Sequence, residues 1–196
     1  MRVRDKAKEQ TIKEKAVMMV VSDGLERFSM QKLAKEAQVS PATLYIYFKD
    51  KDDLLLKLCD ELGENMTAQA FEGFDVSMSF SEGLKVQWIN RAKYSLKYPE
   101  QVLFLEEIRH SYLKREFARM MNERFSGPMQ IWVQKAWENR EVVQVPIEVY
   151  WSIAFAPLYN LVKFHMQGES IGGHKFEFSE DVMMSTFYLV LKALTP

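Results

Sequence analysis

Apolar residues along this chain recur every three or four positions, and no stretch alternates with the two-residue rhythm of a half-buried strand. Ile12, Ala16, Met19 and Val20 form a first stripe that should end near Asp23-Gly24, where glycine accepts a left-handed cap. Two short segments follow within residues 29–48. Leu33, Ala34 and Ala37 make the inner face of one, Val39 lies in the turn, and Leu44 and Phe48 face inward from the other. Leu54, Leu58, Leu62 and Met66, with Leu55 and Cys59 beside them, predict about four helical turns from Asp52 onward. Ser79 and Glu82 stand at capping-box spacing and open a helix that should run to Tyr98, ahead of Pro99. "PEQVLFLEEIRHSYL" and "KREFARMMNERF" read as helices with an interruption or kink at Gly127-Pro128, and "MQIWVQKAW" continues to a polar stop. Pro146 should open a helix reaching about Gln167, and a last helix should span Ser179 to about Leu194 after the glycine-bearing loop "GESIGGHKFEF". The pattern predicts an all-α fold of about nine helices.

Charge divides the chain unevenly. Residues 1–51 hold eleven Lys/Arg against seven Asp/Glu, whereas residues 52–196 hold fifteen against twenty. A basic head on an acidic body points to an anionic partner for the head alone. The expected division is therefore 1–51 and 52–196. At 47% hydrophobic and 27% charged residues the chain has a core-forming composition. A single cysteine, Cys59, rules out an intrachain disulfide framework and fits a reducing, cytoplasmic setting; on the apolar side of its helix it reads as an inert core thiol. The longest uncharged run, Val149–Val162, has fourteen residues, short of the roughly 20 that a membrane span needs, so no membrane is expected.

The head carries the chemistry. Ser29 and Ser40 suit the N-caps of the two short helices, Pro41 fits the first turn of the second, and Ala34 is small where the two must cross closely. This is a helix-turn-helix arrangement, whose second helix presents its N-terminal residues to the DNA major groove. With Leu44 and Phe48 inward, Pro41, Ala42, Tyr45 and Ile46 project outward, and Thr43 and Tyr47 lie on the flanks. Thr and Tyr hydroxyls suit phosphate oxygens, and apolar side chains can meet thymine methyls. Lys49 and Lys51 add positive charge at the start of the next helix. The basic N-terminus (Arg2, Arg4, Lys6, Lys8) reads first as a solvated end, with a minor-groove or phosphate role as the alternative.

The stretch "FSMQKLAKEAQVSPATLYIYFKDKDDLL", Phe28 to Leu55, resembles the DNA-binding domain of the TetR-type transcriptional regulators. The resemblance implies a homodimeric repressor with an N-terminal three-helix reader and a C-terminal ligand-sensing and dimerising body. It implies phosphate contacts from Thr43, Tyr45, Tyr47 and Lys51, and groove contacts from Gln31, Pro41, Ala42 and Ile46. One residue departs from the family pattern: Gln38 stands in the turn where glycine is usual, at a cost of about 1 kcal/mol if its φ must be positive.

In the body, Trp88, Phe104, Trp132, Trp151, Phe155 and Tyr159 are candidates to line a cavity for an apolar or aromatic small-molecule effector. Any one of them alone reads as core. His110, His165 and His174 lack ligand spacing, so no metal is expected, and His165 should be a partner-satisfied residue on a buried helix. No P-loop, Rossmann glycine pattern, G-x-S-x-G or zinc spacing occurs, so no catalytic residue and no cofactor is expected. The segments "IEVYWSIAFAPLYNLVKFHM" and "VMMSTFYLVLKAL" are apolar on more than one face, which suits a homodimer through the last two helices, or burial within one subunit. The leading expectation is a repressor released from its operator by a small molecule. The alternative is an all-helical carrier or enzyme that retains the helix-turn-helix fold.

Overall fold

A computed structural model describes residues 5–196. Arg2 and Arg4 of the basic N-terminus lie outside the described residues. The described chain is all-helical, with ten helices: α1 (Lys6–Asp23), α2 (Met30–Glu36), α3 (Pro41–Tyr47), α4 (Lys51–Ala70), α5 (Phe80–Lys97), α6 (Pro99–Arg109), α7 (Lys114–Glu138), α8 (Ile147–Ala154), α9 (Ala156–Gln167) and α10 (Glu180–Leu194). One isolated bridge, Glu169 to Lys175, ties the glycine-bearing loop. No described helix is long and apolar enough to cross a membrane.

Several expectations need correction. The segment 147–167 is two helices, because Pro157 has no N–H to give and its ring crowds the preceding turn. The carbonyl of Ala154, freed by the break, accepts the Trp88 indole N–H at 2.7 Å. Gly127-Pro128 does not interrupt α7, which stays helical through both. α4 continues one turn past Met66 and ends before Gly73, whose φ is 67°.

The chain forms two compact units. The first comprises residues up to Asn65 together with Tyr98–Arg124, and the second comprises Met66–Lys97 and Phe125–Pro196. The division expected at residue 51 falls inside the first unit, at the start of α4. In that unit α1 packs on α2 and α6, and α2 on α3. Ile12, Ala16, Val20, Leu33, Leu44, Leu54, Leu55 and Phe104 are buried there. In the second unit α5, α8, α9 and α10 enclose a core containing Leu84, Trp88, Trp132, Phe155, Leu158 and Phe187.

Local signals fix the helix ends. Ser79 and Glu82 form the capping box: the Ser79 hydroxyl accepts from Glu82 N–H at 3.4 Å, and the Glu82 carboxylate accepts from Ser79 N–H at 3.2 Å. Gln38 has φ 54°, and its N–H donates to Lys35 O while Val39 N–H donates to Ala34 O. That pair of bonds is a Schellman ending with glutamine at the left-handed position. Arg140 repeats it after α7, with φ 60° and Glu141 N–H on Ala136 O.

Candidate functional site

Two clusters of side chains are candidates for a functional site, one in each unit. The first is the outer face of α3. Ser40 caps it by accepting from Thr43 N–H at 3.2 Å, and Pro41 occupies the first turn. Leu44 and Phe48 are buried and seat the helix, and Ala34 is buried where α2 packs on α3. Gln31, Ser40, Pro41, Ala42 and Lys49 are exposed, as are Tyr45 (56%) and Ile46 (40%). Thr43 is half-buried, with its hydroxyl 2.8 Å from that of Ser40.

Two residues are not where the sequence pattern put them. Tyr47 is buried, and its hydroxyl donates to Asp5 O at 3.3 Å and accepts from Asp5 N–H at 3.2 Å. A ring at the end of a seven-residue helix gains more from packing against the start of α1 than from standing in water. Lys51 is half-buried: its ammonium donates to Leu25 O at 3.0 Å and Phe28 O at 3.3 Å and sits 5.6 Å from the Phe28 ring centroid. Both therefore brace the head, with their polar ends engaged inside the unit.

The turn into α4 is capped from both sides. Asp53 N–H donates to the Asp50 carboxylate, and the Asp53 carboxylate accepts from Lys49 N–H at 2.9 Å and Lys57 Nζ at 2.8 Å. The bond from Lys57 lowers the proton affinity of Asp53 below the ordinary carboxylate value. Cys59 is buried, and burial pushes its thiol up to about 12, so it stays protonated and inert.

The second cluster is in the other unit. Of the six expected effector-lining residues, Trp88 and Trp132 are fully buried with their indole N–H groups satisfied by Ala154 O and Met78 O, which makes them core. Phe104 is buried in the first unit and does not belong to this cluster. Trp151, Phe155 and Tyr159 do come together, around a residue the sequence reading missed. Arg91 is only 4% exposed; its guanidinium carbon lies 4.5 Å from the Phe155 ring centroid, 4.8 Å from that of Phe125 and 5.8 Å from that of Trp151. Its Nη1 donates to the Tyr159 hydroxyl at 2.8 Å and its Nε to Gln87 Oε1 at 3.1 Å. The signal was present: Arg91 follows Leu84, Gln87 and Trp88 at helical spacing, on the inner face of α5. His165 Nδ1 accepts Phe178 N–H at 3.2 Å, the satisfied state expected for it. Among the described residues no group of three or more His, Cys, Asp or Glu could hold a metal ion.

The family model of the bacterial regulatory proteins, tetR family, matches residues 12–58, which span most of α1, all of α2 and α3, and the start of α4. Residues 12–58 thus carry the DNA-binding domain of the TetR family. An uncharacterized HTH-type transcriptional regulator of Haemophilus influenzae is 38% identical over 72 residues, 37% of this chain. The match spans 38% of that relative's own length. The crystal structure of a TetR family transcription regulator from Marinobacter aquaeolei superposes with a TM-score of 0.84 at 28% identity, covering 99% of this chain and 98% of that one. A TetR-family regulator structure from Haemophilus influenzae has a TM-score of 0.78 over the full length of both chains; its 19% identity speaks for the fold alone.

Proposed function

We propose that the chain is a dimeric DNA-binding repressor whose hold on its operator is released by a small molecule. The observation that carries this reading is the outer face of α3. A helix seated by Leu44 and Phe48 leaves Pro41, Ala42, Tyr45 and Ile46 exposed, beside Lys49 and the exposed Gln31 of α2. Short apolar groups flanked by hydroxyls and a lysine suit thymine methyls and phosphates together. On this reading Gln31, Pro41, Ala42 and Ile46 meet the groove, Ser40, Thr43, Tyr45 and Lys49 meet the backbone, and Tyr47 and Lys51 hold the head in shape. DNA binding belongs to residues 1–51, effector binding and dimerisation to 52–196, and the protein works in the cytoplasm.

Dimerisation is supported by apolar side chains left exposed on the last helices. Ile147, Val149, Tyr188 and Leu189 are 63%, 42%, 58% and 70% exposed. A second copy of the same surface would cover them in a four-helix arrangement and set two reading heads about one DNA turn apart. Trp151, Phe155 and Tyr159 support an effector site in the second unit. An effector that prefers the released state by about 1–3 kcal/mol makes a working switch.

The test is binding to duplex DNA from beside the protein's own gene, measured by fluorescence anisotropy across a salt series. Affinity should fall as salt rises, because phosphate contacts release counterions. Lys49→Ala should weaken binding to every sequence and reduce the salt slope by about one. Absent or salt-independent binding to every fragment would sink the proposal.

A further inference from the structure

Arg91 is a buried cation with no anionic partner among the described residues. Ion pairs among the described residues involve Lys13, Lys57, Arg119 and Arg124, and none involves Arg91. Gln87 and Tyr159 take two of its donors, but Nη2 is buried with no hydrogen-bond partner. Gln87 is itself held, since its amide nitrogen donates to Ala70 O at 3.0 Å. The hydroxyl of Tyr150, on α8, is likewise buried and unpartnered. Burial raises that hydroxyl's proton affinity, and the charge of Arg91 opposes the rise, so the phenol remains a donor that feels the guanidinium.

Buried charges in folded proteins are paired and buried donors are satisfied. Aromatic faces partly compensate a guanidinium but give Nη2 no acceptor. An acceptor with negative charge would satisfy the donor and neutralise the guanidinium together. One cation among apolar walls suits a monoanion better than a phosphate dianion, and two orphan donors suit the two oxygens of a carboxylate. At 4% exposure Arg91 is out of reach of an acidic side chain from a second copy, whereas a small molecule could enter beside Trp151, which is 39% exposed.

Resting on the ligand-responsive reading above, we propose that the effector is an amphiphilic monocarboxylate, its acid held by Arg91 and Tyr150 and its apolar body against Phe125, Trp151 and Phe155. Arg91 selects the acid; the rings accept a range of aliphatic or aromatic bodies.

The test uses the full-length protein and a panel of alkanoic acids from octanoate to palmitate, with 1-naphthoate, each paired with its neutral alcohol. Binding is read by isothermal titration and by the rise in Tm. Acids should bind the wild type at least tenfold more tightly than their alcohols, as a hydrogen bond to a charged group implies. Arg91→Leu should lose the preference for acids while still binding the alcohols, because the charge at the centre of the cluster is removed. Tyr150→Phe deletes only the orphan hydroxyl, keeps the fold should Arg91→Leu not fold, and should weaken acids about tenfold while leaving alcohols unchanged. Alcohols binding as well as acids, or acids binding both variants as tightly as the wild type, would overturn the carboxylate inference and leave ligand responsiveness standing. Failure of every acid and every alcohol to bind would overturn both.

Discussion

Gln38 shows how a single residue departs from its local rule and what that costs. Its φ of 54° puts a branched-off side chain where glycine fits without strain, inside the Schellman ending of α2. Gln38→Gly should therefore raise stability by about 0.5–1 kcal/mol, the relief of strain outweighing the freer unfolded chain; urea denaturation measures it, and a lower midpoint would contradict the account. The position was legible as an anomaly from sequence, because the family's glycine is absent there. Lys51 and Tyr47 were misplaced for a physical reason. Hydropathy assigns a lysine or tyrosine to the surface, yet each has a long apolar stem that gains by burial when backbone groups meet its polar tip. In Lys51 those groups are Leu25 O and Phe28 O. Lys51→Ala should thus lower stability by about 1–2 kcal/mol while leaving the salt slope of DNA binding near the wild-type value, the reverse of Lys49→Ala. A slope reduced by one in Lys51→Ala, with unchanged melting, would return Lys51 to the DNA face.

Among the helices, boundary signals that agree make an element legible, and a lone proline inside an apolar run does not decide between a break and a continuous helix. α5 has a capping box at one end and Pro99 at the other, and it spans Phe80–Lys97. The break between α8 and α9 had only Pro157 to announce it, inside an apolar run that by periodicity alone reads as continuous. Trp88, which accommodates the break by taking Ala154 O, is 66 residues away and invisible to any local pattern. Pro128 shows the opposite outcome: α7 remains helical through it. Contact between elements also fixes Gly83. A Cβ built there would lie 2.6 Å from the Trp132 ring, which stacks on Phe80 with centroids 5.2 Å apart and planes at 17°. Gly83→Ala should cost about 1–3 kcal/mol, because the ring is held by Phe74, Phe80 and the bond from its indole N–H to Met78 O and cannot withdraw. Thermal denaturation decides it; a neutral or stabilising effect would mean that α5 and α7 separate easily.

For the molecule as a whole, the fold class and the reading head were legible because caps, prolines and inward pairs agreed over one contiguous stretch. The Arg91 cluster was not, since it assembles from α5, the Phe125 region of α7, α8 and α9, and its central member is a charge that composition assigns to the surface. Dimerisation belongs to this scale as well. Sedimentation equilibrium should give twice the 23.0 kDa of one chain, and Leu189→Glu should move the equilibrium to monomer and weaken operator binding more than tenfold. A wild type that stays monomeric at every concentration would rule the arrangement out. Finally, α3 has seven residues, and isolated helices shorter than about 12–15 residues are marginal in water. It is nonetheless fastened at its far end, where Asp5 holds the Tyr47 hydroxyl and Lys57 Nζ donates to Tyr47 O at 3.4 Å. The reading helix is ordered before any duplex arrives. Operator binding should accordingly show the heat-capacity change of two preformed surfaces, without the further fall that accompanies folding on contact.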